Sequence, residues 1–413
     1  MQAKYDYLIV GGGVAGVTAA EAIRGRDERA SIAVVSSERE LFYSRVMLPY
    51  YLRGQVSREK LFLRGTKDFA AKDIEFLADE TVRRLSREEN LVLLKSGRQI
   101  RFGKLLVATG GMPAKLRIPG HELRGVSRFQ TLADAEEMLS LLADTKSAVV
   151  TGGGFITLEY LEILSRRKIP ALLVIRGKHF FSRSLDSLGA RLLHENFRAN
   201  GIGPILVEDE LAAVEGSARI RRVKTRRGRI IPCDFLAAGI GLRKSTAWLV
   251  GSGVATDVRG VKANEYLEAS RPDIYAAGDV AVYTDVVLGR RHTHGNWTSS
   301  FLQGEIAGLN MAGERKAFQA VSHYTISNLG LLITFLGEAT EKRGVETITR
   351  ADPGEKRYER FFIRGGRIIG AVLINRPALK PAVTQVIQRR IPVGEYRFQL
   401  RDPEFDLAKL LSS

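Results

Sequence analysis

The sequence predicts an α/β protein built on two βαβ units, with a small α+β region behind them. Three observations carry this. A glycine-rich turn at residues 11–16 follows an apolar run and precedes a helical stretch. The same arrangement returns at residues 152–157. Beyond residue 320, short β-rich runs gather around a Gly-Gly pair. Parallel strands buried on both faces read as unbroken apolar runs, and their alternation with helices marks an α/β sheet.

In the first unit, residues 5–10 (Tyr-Asp-Tyr-Leu-Ile-Val) read as a strand, residues 17–24 as a helix and Ile32–Val35 as a second strand. Between strand and helix lies Gly11-Gly12-Gly13-Val14-Ala15-Gly16. In a G-x-G-x-x-G turn the first glycine permits the sharp turn, the second lets the backbone approach a pyrophosphate, and the third packs helix on strand. Gly11, Gly13 and Gly16 hold those places. The helix start then offers N–H groups to an anion. An acid after the second strand would accept from ribose hydroxyls, and the chain there reads Ser36-Ser37-Glu38.

The second unit has a strand at 147–150, the turn Gly152-Gly153-Gly154-Phe155-Ile156-Thr157, a helix, and a strand at Ala171–Ile175. Gly152 and Gly154 match the pattern. Thr157 stands at the third glycine and is expected to set helix and strand slightly farther apart. Ile175 stands where the ribose-binding acid belongs, followed by Arg176, Lys178, His179 and Arg183. Lacking the acid and carrying these bases, the turn leans toward a 2′-phosphate, hence toward NADPH. A weakened or lost nucleotide site is the alternative.

The chain has 413 residues, room for two or three domains, and 45% apolar content. Its one cysteine, Cys233, excludes an intrachain disulfide, a Cys-ligated iron–sulfur cluster and a Cys-rich zinc site. No metal is expected, so redox chemistry must rest on an organic cofactor. Cys233 precedes Asp234 in an apolar stretch and reads as a small buried hydrophobe. No apolar run approaches the roughly 18 residues of a membrane helix. No leader is expected before the first strand, and a cytoplasmic location is expected. The net charge of +17 attracts acidic partners. Residues 219–229 carry seven of the bases around Ile220 and Val223 and read as a solvated hairpin. The rival uses are a dock for an acidic protein or a nonspecific nucleic-acid surface; with no aromatics interleaved, nucleic acid is disfavoured.

Residues 320–413 are expected to form strands at 329–336, 358–363 and 367–373. Gly365-Gly366 is the expected hairpin turn. Pro377 and Pro381 are expected to bracket a loop before a short helix at 382–389. No catalytic constellation is visible there.

Three further motifs carry a family resemblance. Leu105-Leu106-Val107-Ala108-Thr109-Gly110-Gly111, Asp273-Ile274-Tyr275-Ala276-Ala277-Gly278-Asp279-Val280, and Trp297 with Gln303-Gly304-Glu305-Ile306-Ala307-Gly308 resemble motifs of the FAD-dependent pyridine nucleotide–disulfide oxidoreductase superfamily. The resemblance spans about residues 5–312. It implies two Rossmann-like domains, one inserted in the other: an FAD domain from 1–112 and 243–315, and an NAD(P)H domain at 113–242. Residues 320–413 would be an interface domain, serving a homodimer or partner contact. It implies FAD contacts at Gly11, Gly13, Ala15, Gly16, Ser37, Glu38, Arg45, Ala108, Thr109, Gly110 and Asp279. An adenine-contacting backbone falls at Thr81 and Val82. Gly152, Gly154, Arg176, Arg183 and Gly241 would serve the nicotinamide nucleotide, and Glu159 would lie near the nicotinamide as the catalytic candidate.

Tyr43-Ser44-Arg45-Val46-Met47-Leu48-Pro49-Tyr50-Tyr51 narrows the branch. It resembles the Tyr-x-Arg segment of rubredoxin and ferredoxin reductases, and more closely the flavin region of the nitrite reductase large subunit. Arg45 would meet the FAD pyrophosphate. Val46 falls where coenzyme A–disulfide reductases and NADH peroxidases have their active cysteine, which excludes that chemistry. Tyr50 falls where ferredoxin reductases commonly have a lysine. The cysteines that hold siroheme and a cluster in full nitrite reductases are absent, so nitrite chemistry cannot occur on this chain alone. The resemblance implies an NAD(P)H oxidoreductase that passes electrons through FAD to an external acceptor, a small acidic rubredoxin- or ferredoxin-type protein. The alternatives are an electron-input subunit of a larger reductase, or an FAD-binding protein with weak or lost nicotinamide activity.

Overall fold

The computed structural model describes residues 3–86 and 88–411. The chain divides into two compact units. The first comprises residues 1–47, 56–112 and 243–322; the second comprises 48–55, 113–242 and 323–413.

In the first unit, parallel strands run in the order Ile74–Leu77, Ile32–Val35, Ala3–Val10, Gln99–Val107. The last of these is shared. Its N-terminal half pairs antiparallel with Leu91–Leu94, while Leu105–Val107 pairs parallel with Ile274–Ala276. The apolar runs explain the choice, since Leu8, Ile9, Ala33, Val34 and Leu105 to Val107 are fully buried. The helix Val14–Arg26 starts three residues earlier than expected, directly from the glycine turn. Its last turn carries Arg24 and Arg26, whose charge complements the carbonyl end. Arg24 donates to the backbone carbonyls of Asp27, Glu28, Ala30, Lys72 and Asp73, tying the helix end to the loops around it. The helix Trp297–Met311 crosses this one at its small residues. A Cβ at Gly304 would stand 2.3 Å from the Ala15 carbonyl oxygen, and one at Gly308 2.5 Å from that of Ala19.

The second unit has a five-stranded parallel sheet in the order Ile202–Val207, Ala171–Ile175, Ala148–Gly152, Phe235–Gly239, Val126–Ser127. Helices Leu132–Ala143, Phe155–Arg166 and Ser187–Ala199 belong to it. The basic stretch forms the expected hairpin, strands Ile220–Thr225 and Ile230–Pro232, with Val223 buried beneath it.

Residues 323–374 form a five-stranded antiparallel sheet in the order His323–Asn328, Leu331–Gly337, Arg367–Ile374, Arg357–Arg364, Glu346–Asp352. Three details differ from the sequence reading. The strand expected at 329–336 begins at Leu331, because Leu329 and Gly330 both adopt positive φ (49° and 79°) and make a tight hairpin turn from a preceding strand, His323–Asn328, that was not expected. The strand Glu346–Asp352, whose apolar residues are Ile348 and Ala351 alone, was not expected. Pro381 does not close a loop: it sits in the first turn of the helix Lys380–Gln388, where a missing N–H costs nothing. Among the described residues no helix is long and apolar enough to cross a membrane.

Asp186 joins this sheet to the helix Ser187–Ala199. Its Oδ1 accepts from the backbone N–H groups of Leu188 and Gly189, capping the helix, and from the Tyr358 hydroxyl at 3.2 Å. Its Oδ2 accepts from Thr349 Oγ1 at 2.6 Å. Burial works against the charge, but these hydrogen bonds and Arg360 hold the carboxyl below its ordinary range. Replacing Asp186 with Ala is expected to remove about 1 kcal/mol from the unit, lowering its melting temperature by about 2–4 °C in calorimetry. Because the folded pKa lies below the unfolded one, the charge-dependent part is full above about pH 4 and lost as pH falls through the folded value. The deficit of Asp186→Asn, which keeps a capping oxygen, should therefore shrink in acid.

Candidate functional site

The first glycine turn is set by main-chain contact. Gly11 has φ of +125°, and a Cβ there would stand 2.2 Å from the Ala108 carbonyl oxygen. A Cβ at Gly16 would stand 1.9 Å from the Gly11 carbonyl oxygen. A Cβ at Gly13 would meet nothing within 4 Å, so open space lies before the helix. Gly13 is the N-cap with no side-chain capping bond, and the first turn holds no acid. An uncapped helix start facing open space fits a pyrophosphate.

Strand register brings the other motifs to the same edge. Val107 lies beside Val10 on one side and Ala276 on the other. Ala108-Thr109-Gly110 and Gly278-Asp279 therefore leave the sheet next to the glycine turn. Thr109 Oγ1 donates to the Ser245 carbonyl at 3.1 Å. Gly278 N–H donates to Gln303 at 2.9 Å, and Ser300 Oγ donates to Asp279 at 3.3 Å. A Cβ at Gly295 would come within 3.3 Å of the Asp279 carboxyl, so a glycine there leaves that carboxyl room. Lys244 lies near Asp279; burial lowers its pKa, and Asp279 works in the other direction.

Glu38 is where the ribose acceptor was expected. It takes the Arg45 guanidinium and the Tyr43 hydroxyl, so the two expected FAD contacts, Glu38 and Arg45, are paired with each other. Ser37 is exposed beside them. Val82 begins the strand Val82–Leu85 and is buried, while the Thr81 carbonyl accepts from Lys95.

The second turn repeats the first. Gly152 has φ of +131°, and its Cβ would stand 2.3 Å from the Gly239 carbonyl oxygen. Gly154 is again an uncapped N-cap with nothing within 4 Å of a Cβ. Thr157 is fully buried, and its Oγ1 lies 3.4 Å from the Gly239 carbonyl oxygen. Its room comes from two glycines: a Cβ at either Gly152 or Gly239 would come within 2.6 Å of that hydroxyl oxygen. At the strand end Ile175 is buried. Arg176 Nε lies 3.5 Å from Glu210, which also takes Arg226 at 3.1 Å. Arg183 is exposed, its carbonyl accepting from the Glu341 N–H. Gly241 has φ of +99° with open space at its Cβ position. Phe155, the first residue of its helix, packs against Phe181, Tyr324 and Phe335 with centroids 4.6–5.0 Å apart.

Glu159 lies one turn along the same helix. Its side chain is only 13% exposed, and its Oε2 accepts no hydrogen bond. Burial pushes its pKa up to about 7, with Arg53 pulling it down and Glu162 adding to the rise. Arg53 Nη1 lies 3.8 Å from Glu159 and 2.6 Å from Glu162. Arg53, Glu162 and Lys244 were missed by sequence reasoning. The i, i+3 spacing of Glu159 and Glu162 puts both carboxyls on one helix face and was the available signal. Nothing local marks Arg53 or Lys244.

Cys233 is buried, and burial pushes its thiol up to about 12.

Residues 5–304 match the family described as pyridine nucleotide-disulphide oxidoreductase. Residues 326–391 match the rubredoxin NAD+ reductase C-terminal domain. The chain is 28% identical over 395 residues to the NADH-dependent phenylglyoxylate dehydrogenase subunit epsilon of Aromatoleum evansii, covering 95% of this chain and 93% of that one. It is 26% identical over 396 residues to the nitrite reductase [NAD(P)H] of Bacillus subtilis (strain 168), covering 95% of this chain but only 48% of that protein. The chain thus spans about half the length of that relative. The solved covalent putidaredoxin reductase–putidaredoxin complex superposes with a TM-score of 0.91 at 25% identity, covering 100% of this chain and 99% of that one. With two uncapped glycine turns on parallel sheets and a family match over residues 5–304, the chain belongs to the pyridine nucleotide-disulphide oxidoreductases.

Proposed function

We infer that the protein takes electrons from NAD(P)H and passes them through FAD to a small acidic iron–sulfur or rubredoxin-type protein, without a redox disulfide. The observation that carries this is the pair of uncapped helix starts at Gly13 and Gly154, in a chain whose one thiol is buried and held protonated. Two pyrophosphate sites on one chain call for two dinucleotides. The likeness to a putidaredoxin reductase that is solved with its partner supports a protein acceptor, and the charge of +17 supports an acidic one. The domain assignment follows: FAD on 1–112 and 243–315, nucleotide on 113–242, and interface, including any homodimer contact, on 320–413.

Gly11, Gly13, Ala15 and Gly16 would hold the FAD pyrophosphate at the helix start, with Arg45 adding its fork. Glu38 and Ser37 would serve the adenosine ribose, and Thr81 and Val82 the adenine. Ala108, Thr109 and Gly110 would wall the flavin side, and Asp279 would accept from the ribityl hydroxyls. Gly152, Gly154 and Gly241 would admit the nicotinamide nucleotide, with Arg176 and Arg183 on its phosphates. Glu159 would stand near the reacting ring. Bound there, the flavin supplies two-electron acceptance from nicotinamide and one-electron release to the acceptor. The protein's own task would be to hold each dinucleotide by its phosphates and to orient its reacting ring.

An electron-input subunit is the second reading. It is favoured by the near full-length match to a dehydrogenase subunit. A partner enzyme that co-purifies and turns over only with this chain would support it.

The purified protein should be yellow, and anaerobic NADPH should bleach the flavin without a long-wavelength thiolate band. Cys233→Ala should leave the stopped-flow reduction rate unchanged. A colourless protein that gains no colour with added FAD would overturn the reading. Arg176→Ala should weaken NADPH binding about tenfold while changing NADH binding little, as expected for one lost charge-assisted phosphate contact. Equal losses for both nucleotides, read by fluorescence titration, would remove the 2′-phosphate assignment.

A further inference from the structure

The helix Phe155–Arg166 presents two carboxylates to one buried guanidinium. Arg53 follows the short helix Leu48–Leu52 and its side chain is 4% exposed. Its Nη1 donates to Glu162 Oε2 at 2.6 Å, while Glu159 Oε2 waits at 3.8 Å. Its guanidinium lies over the Tyr50 ring, 4.4 Å from the centroid. Glu162 has further donors: Arg166 Nε at 2.9 Å on Oε1, and Asn328 Nδ2 at 3.1 Å on Oε2. Asn328 also donates to the Leu158 carbonyl at 2.9 Å, which fixes its amide against the helix. Glu162 is thus fully supplied, and Glu159 is left with an orphaned oxygen beside a cation that is already engaged.

We propose that Arg53 is a positioning residue that sets the charge of Glu159, and that Glu162 tunes it by competing for the same guanidinium. This rests on the reading of Glu159 as the carboxyl beside the reacting nicotinamide. The groups facing Glu159 are few. Its own helix supplies Glu162 and, through it, Arg166. The 48–55 segment supplies Arg53 and Tyr50. The strand His323–Asn328 supplies Tyr324, whose hydroxyl burial makes harder to ionise, with Glu159 and Tyr50 adding to the effect. The strands Ala148–Gly152, Ala171–Ile175 and Phe235–Gly239 contain no titratable residue. Among the described residues, the cation within 4.0 Å of Glu159 is Arg53. A buried carboxyl next to one shared cation changes charge whenever that cation moves toward or away from it.

The roles of the two partners have opposite signs. Without Arg53, Glu159 loses its attraction and holds its proton to higher pH. Without the Glu162 charge, Arg53 is released to Glu159 and a like charge is removed, so Glu159 gives up its proton at lower pH. A merely structural role for the cluster would not reverse sign between the two variants.

The test uses the flavin-loaded protein with 13C-labelled glutamate side chains, following the Glu159 δ-carbon by NMR against pH, beside stopped-flow reduction by NADPH over the same range. The resonance is assigned by its loss in Glu159→Gln. The wild type should inflect near pH 7. Arg53→Gln should move the inflection up by at least about one pH unit, and Glu162→Gln should move it down. Arg53→Lys should return it toward the wild-type value, separating charge from misfolding. An inflection that stays in place in both Arg53→Gln and Glu162→Gln would overturn the proposal. A Glu159 resonance that shifts as stated while the reduction rate shows no inflection would leave the Arg53 assignment standing and defeat the reading of Glu159 as the nicotinamide-side carboxyl.

Discussion

Both units depend on main chain meeting main chain where a side chain would not fit. At Gly11 the turn runs against the carbonyl of Ala108, and at Gly152 against that of Gly239. In each case strand, turn and neighbouring strand end are locked within van der Waals contact. The helix start is then aimed past the sheet edge rather than into the core. Several candidate site residues take their place from this. Ala108 to Gly110 and Asp279 are near the first turn because their strands flank the one that feeds it. Glu159 is near the second because it lies one turn beyond Gly154.

Charge is handled differently in the sites and on the surface. The excess of bases is largely solvated, as on the 219–229 hairpin. Inside, acids and bases are matched: Glu162 with Arg53, and Glu359 with Arg350. Buried pairs of this kind add little net stability, because desolvation offsets attraction. They do fix geometry, since removing one partner strands the other in a medium that penalises it. Glu159 departs from this pattern, with an oxygen that no donor reaches.

Much of the architecture was legible because its signals are local. Apolar runs such as Ile32–Val35 and glycine turns declare themselves over a few residues, and the parallel units follow. The C-terminal sheet was read less well. Leu329 looked like a strand start because Leu331, Leu332 and Ile333 follow it, yet a positive φ at Leu329 and at Gly330 turns the chain there. Glu346–Asp352 was hidden by its charged alternate positions, which lie on an edge strand. Pro381 misled because proline ends helices more visibly than it begins them. In the site, motif residues such as Gly13, Gly154 and Asp279 could be named from spacing. Arg53 and Lys244 could not, since each meets its acid partner across a long stretch of sequence. The pairing of Glu38 with Arg45 joins two residues that had been assigned to different parts of the same ligand. The room for Thr157 was also not visible locally, because it is made by Gly239 on another strand.

The tight crossing of Trp297–Met311 over Val14–Arg26 has a consequence for how the chain is made. A ribosome releases residues 14–26 long before residues 297–311 exist, and the strand Ile274–Ala276 also arrives late. Until then the first sheet lacks one strand, and its helix lacks the partner that covers Ala15 and Ala19. The intervening segment 113–242 carries its own parallel sheet and can collapse first. Synthesis therefore leaves an early, half-built β-edge waiting on a late segment, which is the period in which chaperone capture or misassembly competes with maturation.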